Sequence, residues 1–185
     1  MIRTGLSLAE FRSNVSDLAR PNRFEVQITP PSSFNEYYTD GQFNMLSWLA
    51  ESAQIPSRVQ GEISMKFHGM EYKLPGDYSK ENLTIGFINS YGWEGRSFFD
   101  SWMEFIQYIN DDNGRNSAYS LLSDSQIVIN QLGRTKNDIL ASYIYYNVFP
   151  TNLSAIDLNM SENDSIEKFT VSFSYSHAVP YQVGV

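Results

Sequence analysis

Two carboxylates one helical turn apart are the strongest candidate for catalytic chemistry in this sequence. Asp100 and Glu104 stand four residues apart in a segment with helical periodicity, so both side chains would project from one helix face. Such a pair could act as a general acid and a general base. It is more often a solvated helix face on which the like charges repel each other. We therefore assign no catalytic residue.

The remaining polar residues predict no metal or cofactor site. His68 falls in a predicted hairpin turn and His177 just after a strand, and neither has an acidic or hydroxyl partner within a motif. The sequence Asp-Asp-Asn-Gly at residues 111–114 has the composition of a calcium loop, but its spacing places Ile109 at the first ligand position. Cysteine is absent, and so are glycine-rich phosphate loops, a His-Glu-x-x-His pair and a Gly-x-Ser-x-Gly elbow. We expect no enzymatic activity, no cofactor and no metal.

Charge and hydropathy argue against several further classes of protein. The 185 residues carry a formal net charge of −8, which argues against binding nucleic acid through its phosphates and against adhesion to anionic membranes. No apolar run approaches the roughly 18 residues that a membrane span requires. Residues 1–20 lack the apolar centre of a secretory signal. The composition predicts a soluble cytoplasmic product of one domain.

Residues 96–110 form the one strongly predicted helix. Its apolar side chains recur at spacings of three and four, and an apolar stripe that wide has to be buried. The predicted helix core consists of Phe98, Trp102, Phe105, Ile106 and Ile109.

Alternation of apolar and polar residues predicts six or seven strands. They fall at residues 23–29, 62–67, 70–74, 83–87, 126–130, 142–149 and 168–175. Turn signals separate them at residues 75–77 (Pro-Gly-Asp), at residues 133–138 and at Pro150. Because the strands come in pairs before and after one helix, we predict a mainly β (α+β) fold with antiparallel sheets and a flanking helix.

Three further segments complete the predicted organisation. Residues 1–22 form an N-terminal arm, residues 23–176 the β domain and residues 177–185 a loose C-terminal tail. Inside the domain, residues 32–60 are predicted to be an extended loop that is ordered by contact with another molecule. The candidate contact residues of the arm and the loop are aromatic: Phe11, Phe34, Tyr37, Tyr38, Phe43 and Trp48.

Three segments, taken in order, resemble the tail tube protein family of contractile-tailed bacteriophages. The first is ARPNRFEV at residues 19–26, the entry into the first strand. The second is the Pro-Gly-Asp motif with the following strand and helix. The third is Phe-Pro-Thr at residues 149–151 with the closing strand. The positions that match the family motifs are Arg20, Pro21, Asn22, Phe24, Pro75, Gly76, Asp77, Phe149, Pro150 and Thr151.

The resemblance, which covers about residues 19–176, implies an assembly as well as a fold. Members fold as two packed antiparallel sheets, a β-sandwich or split barrel, with a flanking helix. Six copies close into a ring whose inner strands form a β-barrel, and stacked rings make the tube inside a contractile sheath. The implied partners are further copies of the chain, the tail sheath protein, a baseplate or tube-initiator protein and the tape-measure protein. DNA leaves through the bore without sequence-specific binding, and no membrane takes part.

The implied location is the virion, after assembly in the host cytoplasm. We predict that acidic side chains face the bore, since like charge keeps DNA phosphates from adhering. We also predict that the N-terminal arm and residues 32–60 bridge stacked rings. A tube-initiating or baseplate-adaptor subunit and the inner tube of a phage-like injection system are alternatives of the same class. From another class, a carbohydrate-binding β-sandwich would also be aromatic-rich and acidic, but it would remain monomeric.

Overall fold

The computed structural model describes residues 8, 19–34, 40–111, 124–135, 138–161 and 163–181. The strands within these ranges are β1 (Phe24–Thr29), β2 (Ala50–Gln54), β3 (Arg58–Phe67), β4 (Met70–Lys80), β5 (Leu83–Ile88), β6 (Gln126–Leu132), β7 (Ile139–Tyr146), β8 (Phe149–Leu153), β9 (Lys168–Ser174) and β10 (His177–Tyr181). The helices there are α1 (Asp40–Leu49) and α2 (Glu94–Asp111), and a 3-10 turn spans Ser32–Phe34.

Two four-stranded antiparallel sheets form the body of the subunit. Sheet A has the strand order β1-β6-β7-β10, and sheet B has the order β2-β5-β9-β8. Apolar residues face each other across the ladders, as Val26 faces Ile129 in sheet A and Ile85 faces Val171 in sheet B. All four are buried, because alternate residues of each strand point into the core. The predicted mainly β fold with packed antiparallel sheets is confirmed.

Helix α2 packs an aromatic face against sheet B. Phe98, Phe99 and Trp102 are at most 2% exposed. The ring of Phe99 lies 5.1 Å from that of Phe87 and 5.8 Å from that of Phe173, both on the core face of the sheet. Tilted and edge-on aromatic contacts of this kind add to the stabilisation that burial provides.

The predicted helix core agrees with this packing. Phe98 and Trp102 are buried, and Phe105 and Ile106 pack half-buried against the same cluster. The side chain of Ile109 lies outside the described part of the chain. The helix begins two residues earlier than predicted, at Glu94.

Residues 32–60 are not an extended loop, contrary to the prediction. They contain the 3-10 turn, α1, β2 and the first residues of β3. Phe34 is 1% exposed, and its ring lies 5.6 Å from that of Phe98 and 5.4 Å from that of Phe105. The prediction that Phe34 contacts a neighbouring ring of subunits is therefore wrong, because its phenyl group fills the core of its own subunit beside α2.

Two predicted chain breaks lie inside strands, Pro75 in β4 and Pro150 in β8, and Pro180 of the predicted tail lies inside β10. β8 and β10 are edge strands, where the missing N–H of a proline costs no ladder hydrogen bond if it faces away from the neighbour. The predicted loose tail, residues 177–185, thus begins with a strand, because β10 pairs with β7.

The predicted N-terminal arm lies outside the described residues except for Leu8 and residues 19–22. Leu8 is exposed. No helix in the described ranges is long and apolar enough to cross a membrane.

Candidate assembly interface

A long two-stranded hairpin projects from the body between β2 and β5. β3 and β4 pair with each other from Arg58 opposite Lys80 to Phe67 opposite Met70, and with no other strand of the described chain. β2 and β5, which the hairpin connects along the chain, are neighbours in sheet B. β3 has 10 residues, which reach about 34 Å at about 3.4 Å per residue. We call residues 58–80 the long hairpin.

One face of the long hairpin is apolar and open to solvent. Its six side chains form three cross-strand pairs: Ile63 with Leu74, Met65 with Tyr72, and Phe67 with Met70. Leu74 is half-buried, and the other five are between 51% and 73% exposed. A contiguous apolar surface of this kind marks an interaction site in a soluble protein. We call it the apolar hairpin face.

The opposite face of the long hairpin is charged. Lys66 lies opposite Glu71, and the Lys73 ammonium is 2.7 Å from a carboxylate oxygen of Glu62. Both members of this ion pair are more than half exposed, so water screens the pair and it adds little stability. The hairpin is therefore amphipathic, with one face suited to water and the other suited to a second surface.

The tip of the long hairpin is a two-residue turn. His68 and Gly69 both have positive φ, 48° and 83°, as a type I′ hairpin turn requires. The ring of His68 lies 4.3 Å from that of Phe67. His68 is thus a turn residue at the far end of the molecule, as its predicted position indicated.

The Pro-Gly-Asp motif forms a bulge within the long hairpin, not a turn. The register shifts between Gln60 and Glu62, where Gly61 and Gly76 approach each other. A Cβ added at Gly76 would lie 3.1 Å from the carbonyl carbon of Gly61. Glycine on both strands allows this close backbone approach, and bulges increase the local twist of a ribbon.

The base of the long hairpin is tied to the end of the sandwich. The Lys80 ammonium donates to the carbonyl of Ser176 and lies 5.2 Å from the centre of the Tyr175 ring. The rings of Tyr175 and Tyr145 are 5.0 Å apart. Burial, followed by the neighbouring Tyr175, raises the pKa of Tyr145, and burial also raises the pKa of Tyr175. Both phenols therefore stay neutral, and ring packing with a cation–π contact holds the base.

Strand edges offer a second surface for assembly. β10 is an edge of sheet A, and its Val179 and Tyr181 are 43% and 59% exposed. The other edge of sheet A, β1, lies beside β2 and α1, and the β8 edge of sheet B lies beside α2. An uncovered edge is a template for a strand of another chain. Among the described strands, β10 offers such an edge.

The candidates for catalytic chemistry are dispersed. Asp100 accepts a hydrogen bond from Arg96 Nε at 3.4 Å, so its partner is a cation one turn earlier and not Glu104. His177 opens β10 and stacks on Tyr146, with ring centres 4.7 Å apart. Within the ranges that the structure describes, no group of three or more His, Cys, Asp or Glu residues is placed to hold a metal.

Seven of the ten family-motif positions lie at the entries to β1 and β8, and the other three form the bulge of the long hairpin. Residues 20–22 form the turn before Phe24 opens β1, and Gln131 Nε2 donates to the carbonyl of Arg20 at 2.7 Å. Phe149 and Pro150 open β8, where the Thr151 hydroxyl donates to the carbonyl of Ser172 at 3.0 Å. These positions are spread over the fold and do not converge on one site.

Of the remaining predicted contact residues, Trp48 is placed on the surface of α1 and is 85% exposed. Phe11, Tyr37 and Tyr38 lie outside the described residues, and so does the side chain of Phe43. Sequence reasoning found the strands of the long hairpin but assigned no contact role to their apolar face. Alternation in the two segments separated by His-Gly indicated a hairpin with one apolar face, but only the strand order shows that no third described strand covers that face.

Known phage tail tube proteins resemble this chain in sequence. A family model described as phage tail tube protein matches residues 19–179. The tail tube protein of Serratia phage KSP90 is 28% identical over 173 residues, covering 92% of this chain and 94% of the relative. Tail tube protein gp19 of Enterobacteria phage T4 is 20% identical over 163 residues, covering 87% of this chain and 91% of the relative.

Solved structures with the same fold come from contractile injection systems. A chain of the sheath–tube complex of an extracellular contractile injection system, in its extended state, has a TM-score of 0.59 at 16% identity and covers 97% of this chain and 100% of its own. The tube-terminating cap of the anti-feeding prophage has a TM-score of 0.60 at 15% identity and covers 90% and 92%. At this identity the likeness shows the fold alone. With the family model matching most of its length, the chain belongs to the phage tail tube protein family and is a structural tail tube subunit.

Proposed function

We propose that six copies of this chain close into a ring and that rings stack into the inner tube of a contractile tail, through which DNA leaves the virion. Identical subunits that meet through two different surfaces form a closed ring when the rotation from one copy to the next closes. The relatives named as tail tube proteins support this role. The relatives are structural proteins, which is consistent with a subunit that performs no catalysis.

The observation that carries the proposal is the apolar hairpin face. A two-stranded ribbon is marginally stable alone and needs a further surface on which to pack. In a single copy, most of the area of Phe67 and Met70 remains in water. In a tube, a second copy of the same chain would cover the apolar hairpin face of every subunit. Each subunit would pack its own hairpin on one neighbour and receive the hairpin of another.

Sheet closure between neighbours would complete the ring. The exposed edge of β10 would gain backbone hydrogen bonds from a strand of the adjacent copy at residues other than Pro180, which has no N–H to donate. A barrel closed in this way has no free edge, which protects the tube from disordered aggregation. Pairing of β10 across copies supports lateral contact, whereas the long hairpin supports contact between rings.

The outer face of sheet B is suited to line the bore. Ser52, Gln54 and Thr170 are exposed on it, and the Thr84 and Ser172 hydroxyls meet there at 3.5 Å. These side chains are neutral and polar, and the one cation that alternates with them on β9, Lys168, is paired with Glu51, so DNA phosphates find no unpaired cation on this strand. We propose this face for the bore, in place of the expectation that acidic side chains face the DNA. Lysine or arginine side chains that line the bore of an assembled tube without an acidic partner would contradict it.

The proposed partners beyond further copies are the tail sheath protein, a baseplate or tube-initiator protein and the tape-measure protein. The solved neighbours include a sheath–tube complex and a baseplate, which supports the first two. The proposed location is the virion after assembly in the host cytoplasm. Trp48, Phe11, Tyr37, Tyr38 and Phe43 remain proposed contacts between stacked rings.

Negative-stain electron microscopy with multi-angle light scattering on the purified chain tests the proposal. Rings or tubes of uniform diameter at high concentration are expected, with a mass that is a multiple of 21.2 kDa. A chain that stays at 21.2 kDa at every concentration and binds a glycan in an array would instead indicate a carbohydrate-binding sandwich.

A further inference from the structure

A concave site with three arginines opens at one end of sheet A. The cavity measures about 400 Å³ and is bounded by the turn before β1 and by the β6–β7 connection. Its lining includes Arg20, Arg23 and Arg134, together with Leu132 and Leu140. We call it the arginine cavity. It lies apart from the long hairpin and contains none of the hairpin residues.

Positive charge in the arginine cavity exceeds negative charge. Among the described residues that line it, three arginines stand against one acid, Asp138. One Asp138 carboxylate oxygen accepts a hydrogen bond from the backbone N–H of Arg134 at 3.3 Å, so this carboxylate is engaged in its own turn. A Cβ added at Gly133 would overlap it. A chain with 21 acidic and 13 basic residues thus concentrates cations at one concave point.

The walls of the arginine cavity are held by hydrogen bonds. Arg23 donates from Nη1 to the carbonyl of Gly133 at 2.8 Å. Gln131 Nε2 donates to the carbonyls of Arg20 and Arg23 at 2.7 and 2.9 Å, and the Gly133 N–H donates to the carbonyl of Asp138 at 2.6 Å. These bonds join the two chain segments that carry the arginines. The cavity is therefore formed before any ligand enters, which lowers the entropic cost of binding.

We propose that the arginine cavity binds a side-chain carboxylate of a second copy of this chain. The guanidinium group forms paired hydrogen bonds with a carboxylate, and Arg20 and Arg134 are both exposed toward solvent. The remainder of the subunit is acidic, so a neighbouring copy supplies the complementary charge. A DNA phosphate is a less suitable ligand than a carboxylate. A protein that binds DNA places cations along the path of the DNA strand, and its surface must not repel that strand, whereas the remainder of this chain is acidic. The inference rests on the proposed self-assembly.

Zero-length cross-linking tests this contact directly. The variants R20K and R134K keep the positive charge and introduce an amine that a water-soluble carbodiimide joins to an adjacent carboxylate. Equal amounts of ¹⁴N- and ¹⁵N-labelled protein are mixed under denaturing conditions, refolded and assembled, so that mass spectrometry separates links between copies from links within one copy. Lys73–Glu62, at 2.7 Å, should link within a copy in every sample and controls for the coupling chemistry.

The expected result is a mixed-isotope peptide that joins position 20 or 134 to an Asp or Glu and that is absent from the wild-type sample. Links that stay within one copy, or no link at either position while Lys73–Glu62 couples, would overturn the proposal. Electron microscopy of the same samples distinguishes failure of the carboxylate contact from failure of tube assembly. Assembly without the mixed-isotope link refutes the carboxylate contact alone, whereas absence of both assembly and link also counts against the tube.

A charge-reversal series gives an independent measurement. R134E should raise the concentration needed for assembly at least tenfold, whereas K168E should change it less than threefold, because Lys168 pairs with Glu51 away from the cavity. The circular dichroism melt of each monomer checks the fold. Equal effects of the two variants would overturn the proposal. Binding of a short DNA duplex by the wild type that R134E abolishes would overturn it in favour of a phosphate ligand.

Discussion

Replacement of Phe67 by serine should weaken assembly while leaving the isolated subunit intact. Phe67 stands near the tip of the long hairpin and is 68% exposed in a single copy. Its removal therefore takes away little that the monomer buries. We expect the free energy of unfolding of the F67S monomer to change by less than about 0.5 kcal/mol, as is usual for exposed positions.

The assembled tube should show a larger effect. Complete burial of a phenylalanine side chain stabilises by about 1.5–3 kcal/mol. About two thirds of that surface is still available for burial by another copy, so each contact should lose about 1–2 kcal/mol. Since 1.4 kcal/mol corresponds to a factor of ten, the concentration at half assembly should rise about 5- to 30-fold.

Sedimentation of assembled from free protein over a concentration series measures this shift. K66S alters the charged face of the same hairpin, and L158S removes another exposed apolar side chain outside the hairpin. Both controls should assemble within about threefold of the wild type. The reasoning would be refuted if F67S assembled at the wild-type concentration, or if its monomer melted well below that of both controls.

Four further outcomes follow from the packing. W102A should lower the free energy of unfolding by about 3–5 kcal/mol in denaturant titrations, because the indole is fully buried, and a smaller loss would contradict the described core. F34A should also destabilise the monomer by about 3 kcal/mol, whereas W48A should change it by less than about 0.5 kcal/mol; the reverse order would restore Phe34 as an external contact. G76V should prevent assembly with little loss of core stability, because the added Cβ would lie 3.1 Å from the Gly61 backbone and would distort the long hairpin. Normal assembly of G76V would contradict the close approach of the two hairpin strands at this point. Because burial raises the pKa of Tyr145 in the folded state, the contribution of this phenol to stability should be constant below about pH 10 and should be lost as pH rises beyond it, and Y145F should reduce that loss in alkaline melting curves.

The regular parts of the fold follow from sequence periodicity. β9 alternates Phe169, Val171 and Phe173 with polar residues, and the three apolar residues are buried as the alternation predicts. Helix α2 likewise carries an apolar stripe that no exposed helix would tolerate. Such segments are predictable because a single period determines which face is buried.

The irregular parts depend on contacts between distant segments. Phe34 follows two prolines in a stretch with no clear period, and only the position of α2 shows that its ring enters the core. The Pro-Gly-Asp motif has turn chemistry, yet the facing Gly61 turns it into a bulge. Pro150 and Pro180 are tolerated because their strands lie at sheet edges, which local sequence does not indicate.

The candidate interface was only half predictable for a related reason. Alternation in Met70, Tyr72 and Leu74 predicts a strand with one apolar face, but periodicity does not say whether that face meets its own core or another chain. The strand order answers this, because the long hairpin has no third strand beside it among the described residues. The arginine cavity joins Arg20 to Arg134 across more than a hundred residues, a separation that no sequence motif spans.

Cryo-electron microscopy with helical reconstruction of the assembled chain tests the central claim most directly. The account predicts sixfold rings in which the apolar hairpin face, with Phe67 and Met70, is covered by a neighbouring copy. A tube in which that face stays exposed to solvent would contradict assembly through the long hairpin. So would a wild-type chain that stays monomeric over the concentration series in which K66S and L158S also stay monomeric.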